Sequence, residues 1–539
     1  MDVTRFTHPI DLHAVSITDP FWQRETELVR REVIPYQWDA LNDRIPGAEK
    51  SWCMHNFRLA GRIMAQARQQ GAQYTPQAYT YRGYNALPDD PAHPDEDKFY
   101  GFLFQDTDFS KWIEAVGYSL IQHPDEALEA TADEAIDVVC AAQTPEGYLD
   151  TYYIINGMDG AFQNLRAHHE LYCLGHLIEG AVSYYQATGK DKLLRAACRF
   201  ADYVADFFGT ADGQCKGYPG HEIAEMALVR LYEVTQDEKY LRLSRFFINE
   251  RGQEPNYFVE EERRNAEREH RPVQSVNLAY HQAVKPVREQ DEAIGHAVRA
   301  VYLYSGMADV ARMTGDDSLK SACERLWRSI VQEYSETCAA IGLAFFARRM
   351  LQMSPQREYG DVMELALYNT VLSGMALDGK SFFYVNPLSV VPSACHADSR
   401  LQHVKTVRQK WFGCACCPPN IARIVSSIAA YAFTENEDTL LTHLYLGGSI
   451  RKTFPTGTLT LSIASDMPWD GHITVTLHAD SPVSGTLGFR LPGWCPNPNV
   501  TADKPVRVAD GYAYLSGDWH DGETIVLDFP MPVRLIRAN

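Results

Sequence analysis

The sequence predicts a mainly α-helical protein in which an (α/α) helical toroid is followed by an antiparallel β-sandwich. Two observations support this fold class. A helix–turn–helix pattern recurs along most of the chain, and near Tyr431 the composition changes to alternating apolar and polar residues. A chain of 539 residues is longer than a single hydrophobic core usually organises, so more than one domain is expected. We assign residues 1–430 to the toroid and residues 431–539 to the β-sandwich.

The helical prediction rests on three hairpins, each with a short polar turn between two apolar periodic runs. The turns lie at Thr188-Gly189, around Thr235 and at Thr314-Gly315. Serial hairpins form either an open solenoid or a closed toroid. Because the repeat is divergent and is interrupted by residues that look functional, we predict a toroid with a central cavity. One helical face after the first turn comprises Leu193, Ala197, Phe200, Val204 and Phe207.

Short antiparallel strands are predicted after Tyr431. The segments "TLTLSIA", "HITVTLHA", "GTLGFRLPGW" and "ETIVLDF" alternate apolar and polar residues, and Gly, Pro, Asn and Asp lie between them. This pattern favours a β-sandwich or part of one. Earlier in the chain, residues 85–101 are acidic and proline-rich, which predicts a surface loop.

Charge and composition argue against several classes of function. The chain is 45% hydrophobic and 22% charged, which is typical of globular proteins, and its net charge of −20 disfavours non-specific nucleic-acid binding. The N-terminus lacks the features of a signal peptide, and no run of roughly 18 apolar residues occurs. We therefore expect a cytoplasmic protein without a membrane partner, in which stable disulfides are disfavoured. The sequence permits a homodimer but does not determine the oligomeric state.

Three of the 12 cysteines are concentrated in "WFGCACCPPNIAR". In an extended chain Cys414 and Cys416 would point to one face and Cys417 to the other, unless Pro418-Pro419 turn the chain. In a reducing compartment such a cluster indicates a metal or catalytic site. The cysteines in apolar helical patterns are instead expected to pack in the core; they include Cys140, Cys173, Cys198 and Cys323.

A second short pair lies upstream in "EYSETCAAIG", where Glu336 and Cys338 are two residues apart. Together with two of the downstream cysteines, this pair can supply the four ligands of a tetrahedral zinc ion. The spacing differs from the CxxC of zinc ribbons. A closed structural zinc site fits the spacing about as well as a catalytic one. A cysteine protease fits less well, because it needs one cysteine with a dedicated histidine.

These motifs resemble the β-L-arabinofuranosidase family of glycoside hydrolases. The resemblance rests on "SETCAAIG", "FFYVNPL" and "WFGCACCPPNIAR", and on "EGYLDTYY", "HELYCLGHLIEG", "GYPGH" and "GHAVRAVYLYSG" in the same order. It covers nearly the whole chain, and the cysteine motif is highly specific. It implies a helical (α/α) toroid with β-sandwich domains, which agrees with the fold predicted from periodicity.

The resemblance also implies a chemistry that is unusual for a glycosidase. By motif position Cys416 is the nucleophile and forms a covalent glycosyl intermediate, which retention of configuration requires. The implied substrate is a β-L-arabinofuranoside or a close furanoside relative, as a small molecule or an oligosaccharide. The implied zinc ligands are Glu336, Cys338, Cys416 and Cys417, with Cys414 an adjacent non-ligand. The implied sugar-binding residues are His169, His221, His296 and Tyr384.

The chain departs from the family at one chemically important place. The family carries a general acid/base glutamate in a glycine-rich stretch before "ETC", and that stretch is absent between Val331 and Tyr334. Glu333 is the nearest carboxylate, and the simpler interpretation is that it is a solvated surface residue. The family also continues with β-structure beyond the position of Asn539, so the β domain is expected to be incomplete.

Three interpretations therefore stay open. The first is a retaining glycosidase with a zinc-bound cysteine, which the cysteine motif favours. The second is a zinc-stabilised sugar-binding protein whose catalysis is impaired, because proton transfer contributes about 10²–10⁴-fold to such reactions. The third is another toroid enzyme, such as a sugar epimerase or uronyl hydrolase, with a structural zinc site.

Overall fold

The computed structural model of the protein describes residues 6–330, 336–387, 390–397 and 404–533. The chain divides into two compact units. The helical unit comprises Arg30–Phe346 and Thr370–Ser426, and the β unit comprises Met1–Val29, Ala347–Asn369 and Ser427–Asn539.

The helices alternate with short turns through most of the chain. In chain order they are α1 (Pro20–Leu28), α2 (Ile34–Leu41), α3 (Cys53–Gln70), α4 (Asp106–Gln122), α5 (Glu126–Ala141), α6 (Thr151–Asn156), α7 (Glu170–Thr188), α8 (Lys192–Phe207), α9 (Ala224–Thr235), α10 (Glu238–Glu250), α11 (Tyr257–Arg268), α12 (Ala297–Thr314), α13 (Asp317–Ile330), α14 (Thr337–Met353), α15 (Arg357–Leu365), α16 (Pro392–Ala397), α17 (Cys417–Ser426) and α18 (Ala429–Ala432). Within the described residues, no helix is both long enough and apolar enough to cross a bilayer.

All three predicted hairpins are confirmed. They are the pairs α7–α8, α9–α10 and α12–α13, and each first helix ends at a residue in the left-handed conformation. That residue is Gly189 or Gly315 in two hairpins, as expected where a backbone needs positive φ. In the third hairpin it is Gln236, with φ of 57°. On α8 the predicted apolar face is buried except for Phe207, which is 40% exposed.

The inner helices of the helical unit form a closed ring. Helices α4, α7, α9 and α12 pack in that order, and α17 packs on α4. Close approach requires glycine, since a Cβ on Gly175 of α7 would lie 2.5 Å from Ile223 Cγ2 before α9. Gly342 of α14 meets Val301 of α12 in the same way. Helix α14 then contacts α17 through sulfur atoms, so the ring closes and the toroid is confirmed.

The β unit contains two sheets of mostly antiparallel strands. The strands of the chain, of which β3 and β4 lie in the helical unit and the others in the β unit, are β1 (His8–Pro9), β2 (Val15–Ile17), β3 (Asn85–Ala86), β4 (Gly101–Phe102), β5 (Phe433–Glu435), β6 (Thr439–Thr442), β7 (Gly448–Phe454), β8 (Gly457–Ser465), β9 (His472–His478), β10 (Val483–Arg490), β11 (Asn499–Thr501), β12 (Val506–Ala509), β13 (Tyr512–Trp519) and β14 (Thr524–Asp528). One sheet has the order β1-β5-β6-β10-β13-β12, and the other has β11-β14-β9-β8-β7-β2. The strands alternate buried and exposed residues, as the sequence predicted.

The N-terminal residues add two strands to these sheets. Strand β1 pairs with β5, and β2 pairs with β7. Strands of two and three residues are too short to show an alternating pattern, so sequence analysis did not predict them. The proposed domain boundary between residues 430 and 431 stays a prediction.

The predicted surface loop at residues 85–101 has an exposed middle and anchored ends. Its ends pair as β3 and β4 within the helical unit, where Asn85 is opposite Phe102. Phe99 and Tyr100 are buried. The tyrosine is held by Asn56, whose Nδ2 donates to the Tyr100 carbonyl at 2.8 Å. The loop is therefore fixed where it approaches the inner ring.

Candidate active site

One carboxylate and three thiols converge where α14 and α17 begin. The ligand atoms of Glu336, Cys338, Cys416 and Cys417 all lie within 4.8 Å of one another. We call these four residues the Glu/Cys cluster. Glu336 and Cys338 flank the start of α14, and Cys417 is the first residue of α17. Cys338 and Cys417 are buried, and the other two are partly buried.

The two prolines explain how adjacent cysteines can face the same centre. Pro418 and Pro419 occupy the first turn of α17, where helical N–H groups have no partner inside the helix and proline is tolerated. The turn brings Cys417 Sγ to 3.1 Å from Cys338 Sγ and to 3.7 Å from Cys416 Sγ. Cys416 and Cys417 therefore face the same centre, as expected where Pro418-Pro419 turn the chain.

The cluster gives its four groups unequal ionisation. Burial raises the pKa of Glu336 to about 7 and raises the pKa of Cys417 well above its ordinary value. Burial also opposes ionisation of Cys338, but hydrogen bonds from Cys416, Cys417 and Asn420 outweigh it and lower the pKa of that thiol. Three sulfur donors and one carboxylate form a set that suits a four-coordinate metal ion.

Three predicted histidines form a row in the helical unit. The ring centroids of His169 and His221 are 5.6 Å apart, and those of His221 and His296 are 5.9 Å apart. His169 immediately precedes α7, and His296 caps the N-terminus of α12. We call these three residues the histidine row. The closed ring brings them together, although 127 positions separate the first from the last, from 169 to 296.

The row consists of neutral imidazoles with defined tautomers. Burial, together with the Arg299 guanidinium, lowers the pKa of His169 and His221 well below the ordinary value and that of His296 to about 4. His169 Nδ1 lies 2.9 Å from the Ala167 carbonyl, and His221 Nδ1 lies 3.0 Å from the Glu222 carbonyl. A carbonyl only accepts, so these Nδ1 atoms carry the hydrogen and each Nε2 is an acceptor. His296 Nδ1 accepts from the Arg299 N–H at 3.5 Å, which leaves its Nε2–H as a donor.

Two tyrosines connect the histidine row with the Glu/Cys cluster. The ring centroids of Tyr172 and His221 are 4.3 Å apart, and Tyr302 lies 6.3 Å from His221. Both tyrosines are close enough to Cys338 and Cys416 to interact with them electrostatically. The row and the cluster therefore belong to one neighbourhood of the ring.

Tyr384, the fourth predicted sugar-binding residue, lies on the sulfur side of this neighbourhood. Its hydroxyl is 3.9 Å from Cys414 Sγ, and its carbonyl accepts from the Thr337 N–H at 3.2 Å. Its ring packs against Phe412, with centroids 5.8 Å apart. Cys414 is not among the four residues whose ligand atoms converge. The structure thus brings Tyr384 to the cluster and places the three histidines beyond Tyr172.

Several residues of this neighbourhood were not predicted as site residues. Phe104 packs against His169 with ring centroids 4.8 Å apart, and Tyr84 lies 5.8 Å from the same histidine. Arg299 contacts the row through its backbone N–H and lies over Tyr280. Tyr172 and Arg299 follow predicted histidines by three residues, so helical spacing could have indicated them. No local pattern indicates Phe104 or Tyr84, since the fold alone brings them to His169.

The carboxylates near the predicted histidines have structural partners. Glu170 accepts from the Tyr148 hydroxyl at 2.7 Å and from the Phe162 N–H at 3.0 Å. Arg251 lies 2.8 Å from Glu222 and 3.1 Å from Glu225, and all three are completely buried. Glu170 is therefore a buried structural carboxylate, and Glu222 and Glu225 neutralise an arginine. The predicted gap between Val331 and Tyr334, with Glu333, lies outside the described residues.

Comparison with known proteins places this neighbourhood in a family. The family model for the catalytic domain of GH127 β-L-arabinofuranosidases matches residues 14–335 and 331–430, and the model for the GH127 middle domain matches residues 439–531. The two matched segments of the catalytic domain overlap at residues 331–335, which lie outside the described residues. The chain is therefore a glycoside hydrolase, and it belongs to the GH127 β-L-arabinofuranosidase family.

Individual relatives agree with this assignment. A non-reducing end β-L-arabinofuranosidase of Bifidobacterium longum subsp. longum is 36% identical over 567 aligned residues, which cover 97% of this chain and 83% of the relative. The crystal structure of a GH127 β-L-arabinofuranosidase from Geobacillus stearothermophilus T6 is 43% identical with a TM-score of 0.87, covering 97% of this chain and 83% of that one. A second GH127 β-arabinofuranosidase structure is 32% identical with a TM-score of 0.80, covering 98% and 81%.

Proposed function

We propose that this protein is a retaining glycoside hydrolase that releases L-arabinofuranose, or a related furanose, from β-linked glycosides, with Cys416 as the nucleophile. The observation that carries the proposal is the convergence of three thiols and a carboxylate in the same neighbourhood as a row of neutral histidines. The substrate class follows from the names of the relatives, which are β-L-arabinofuranosidases.

Cys416 has the chemistry that retention requires. Attack of its sulfur on the anomeric carbon forms a C–S bond and breaks the C–O bond to the leaving group, whose oxygen takes up a proton from solvent. Water then attacks the same carbon and gives up a proton to solvent, the C–S bond breaks to regenerate the thiolate, and the sugar is released with its original configuration. Zinc held by Glu336, Cys338, Cys416 and Cys417 would keep the sulfurs ionised at neutral pH.

The histidine row and Tyr384 are suited to binding sugar hydroxyls. His169 Nε2 and His221 Nε2 can each accept a hydrogen bond from a hydroxyl, whereas His296 Nε2–H can donate one. Neutral imidazoles suit an uncharged sugar, because no buried charge is left without a counter-ion. Phe104 and Tyr172 provide apolar ring surface beside these polar atoms. The row therefore recognises the sugar and does not protonate the leaving group.

A second candidate function is a zinc-stabilised sugar-binding protein with impaired catalysis. It rests on the missing acid/base stretch between Val331 and Tyr334. The relatives described above are β-L-arabinofuranosidases, which favours the interpretation as an enzyme. A cytoplasmic location and an oligosaccharide or small glycoside as substrate also stay predictions, and a homodimer stays open.

Hydrolysis of an aryl β-L-arabinofuranoside by purified protein tests the proposal. An activated aryl group departs with little protonation, so the assay does not depend on the missing acid. We expect the wild-type protein to be active and Cys416→Ser to be inactive, since serine is a poorer nucleophile and a weaker metal ligand. Cys140→Ser on the outer helix α5 is the matched control and should keep full activity. Metal analysis should find one zinc per wild-type chain.

The outcomes separate the two candidate functions. Activity on the aryl glycoside with feeble activity on a natural arabinoside would mean that the nucleophile works and the acid is lost. Sugar binding without hydrolysis of any furanoside would support the binding protein. Full activity of Cys416→Ser with zinc retained would refute Cys416 as the nucleophile.

A further inference from the structure

A buried polar chain leads from α4 through α17 to a sulfur of the Glu/Cys cluster. Arg423 Nη1 donates to Glu114 Oε2 at 2.8 Å, and Arg423 Nε donates to Asn420 Oδ1 at 2.7 Å. Asn420 Nδ2 lies 3.1 Å from Cys338 Sγ. Asn420 and Arg423 are each only 1% exposed, so water does not compete for these bonds.

This chain fixes which end of the Asn420 amide faces the sulfur. A guanidinium has only donors, so the amide atom that faces Arg423 must be the oxygen. The amide nitrogen must therefore face Cys338, and it offers an N–H to the sulfur. An N–H needs an acceptor, and a sulfur anion is a better acceptor than a thiol. The order Glu114, Arg423, Asn420 thus prepares the site for an ionised Cys338.

A buried lysine faces the same cluster from α4. Lys111 is 1% exposed and donates to Thr107 Oγ1 at 2.7 Å, one turn earlier on its own helix. Among the described residues it forms no ion pair with a carboxylate. Its largest electrostatic interaction is with Asp108, followed by Cys416, and it also interacts with Arg423 and Cys338. A buried ammonium is costly unless negative charge lies nearby, and the sulfurs of the cluster supply such charge in addition to Asp108.

We propose that Asn420, oriented by Arg423 and Glu114, and Lys111 are positioning residues that stabilise the Glu/Cys cluster in its anionic, metal-binding state. This inference rests on the proposed zinc site. Four anionic ligands around a divalent cation carry a net charge of about −2. That charge is unfavourable in a buried ring unless positive charge and N–H donors face it. Lys111 supplies the charge, and Asn420 supplies the donor.

The Asn420→Asp substitution tests the donor. Aspartate has nearly the same shape and can still accept from Arg423, but it presents an oxygen to Cys338 where asparagine presents an N–H. We expect zinc affinity to fall about 10- to 100-fold, as it does when hydrogen bonds to metal ligands are removed. The readouts are competition with a chromogenic chelator for zinc, and the thiolate–cobalt charge-transfer band after titration of the metal-free protein with Co²⁺.

Asn56→Asp is the matched control for this variant. Asn56 is also buried on a helix of the same unit and also donates through Nδ2, but its acceptor is the Tyr100 carbonyl. It should leave zinc affinity within about twofold of wild type, although it removes a buried hydrogen bond. Circular dichroism shows whether each variant is folded before its metal affinity is compared.

Substitutions of Lys111 test the charge independently. Lys111→Met removes the charge with little change in length and should also weaken zinc about 10-fold or more, whereas Lys111→Arg keeps the charge and should restore part of the affinity. If Lys111→Met does not fold, the Arg variant against wild type at low and high salt still reports on charge.

The result separates this inference from the proposed function. If the wild-type protein binds neither Zn²⁺ nor Co²⁺ tightly, the proposed metal site is wrong. If the wild type binds zinc and both Asn420→Asp and Lys111→Met bind it within about twofold of wild type, the site stands and the positioning roles are refuted. Weakened zinc binding in Asn420→Asp and Lys111→Met, with Asn56→Asp unchanged, would support the roles.

Discussion

The Glu/Cys cluster and the histidine row are both buried in the inner ring, yet their surroundings act on charge in opposite ways. At the cluster, burial opposes ionisation of Cys338, but hydrogen bonds from Cys416, Cys417 and Asn420 outweigh it and lower the pKa of that thiol. At the row, burial and Arg299 keep the imidazoles neutral by lowering their pKa values. The wall of the ring formed by the cluster stabilises a thiolate at Cys338, and the wall formed by the histidine row keeps its imidazoles neutral.

This difference assigns a separate task to each wall. A wall that stabilises a thiolate beside further thiols can hold a metal ion and supply a nucleophile. A wall of neutral donors and acceptors can bind hydroxyl groups without a net charge. Tyr172 and Tyr302 lie between the two, so they are the contacts through which damage to one wall would reach the other. Substitutions confined to one wall should therefore have distinct kinetic effects.

Metal removal should have the largest effect, because it acts on the whole cluster at once. Dialysis against a chelator should reduce hydrolysis of an aryl β-L-arabinofuranoside by about 100-fold or more, and added zinc should restore it. Sugar binding, measured by calorimetry, should change much less, since the histidine row needs no metal. Full activity at a zinc content near zero would show that the cluster has no metal-dependent role.

Two neighbouring cysteines should respond differently to the same change. Cys417→Ser should lose most of its zinc and its activity, because Cys417 Sγ is 3.1 Å from Cys338 Sγ within the cluster. Cys414→Ser should keep its zinc and lose activity by less than about fivefold, since Cys414 is not one of the converging ligands. Metal analysis and kinetics on both variants check this. Equal zinc loss in both would place Cys414 among the ligands.

Truncation within the histidine row should weaken substrate recognition and leave the metal in place. His221→Ala removes one acceptor, and a hydrogen bond contributes about 0.5–1.5 kcal/mol, so kcat/KM should fall by roughly 2- to 12-fold. Zinc content should equal that of wild type. His472→Ala, at an exposed position of the β unit, is the control. A loss of zinc in His221→Ala would mean that the two walls are not separate.

The smallest effect on activity is expected from Glu170→Gln, which acts on the start of α7 beside His169. Burial raises the pKa of Glu170 to about 8, so the folded protein binds a proton there that the unfolded chain releases above its ordinary value of 4.5. The stability from this proton is complete below pH 4.5 and is lost as the pH rises through about 8. The free energy of unfolding should therefore fall between these pH values.

The glutamine variant removes this titration and keeps an acceptor for Tyr148. Denaturant unfolding from pH 5 to pH 9 should show a smaller decrease in stability for Glu170→Gln than for wild type, at about 1.4 kcal/mol for each pKa unit. Activity at pH 7 should change by less than about threefold, because Glu170 contacts Tyr148 and Phe162 and not the sugar-binding atoms. Parallel pH dependence in both proteins would contradict the raised pKa.

Sequence reasoning predicted features that depend on local pattern. The three hairpins have helical periodicity and glycine or polar turns, and the longer strands alternate, so both classes could be located. The positions of Glu336, Cys338, Cys416 and Cys417 came from a specific motif, and the structure brings those four together. Their roles stay predictions.

Other features depend on contacts between distant parts of the chain. Strands β1 and β2 are recognisable only by their partners β5 and β7. Lys111 and Phe104 carry no motif, because each reaches the site through the packing of α4 and the segment before it. The faces of the three cysteines depend on whether the chain is extended or turns at Pro418-Pro419, and only the structure shows that Cys417 begins a helix.

The two prolines at the start of α17 also influence the unfolded chain. Each fixes its own φ near the helical value, so fewer conformations are lost when the first turn of α17 forms beside Cys338. A residue-to-proline change of this kind stabilises a compatible site by about 0.4–1 kcal/mol. The two proline rings thus reduce the conformational entropy that is lost on folding, and metal coordination has less entropy loss to offset.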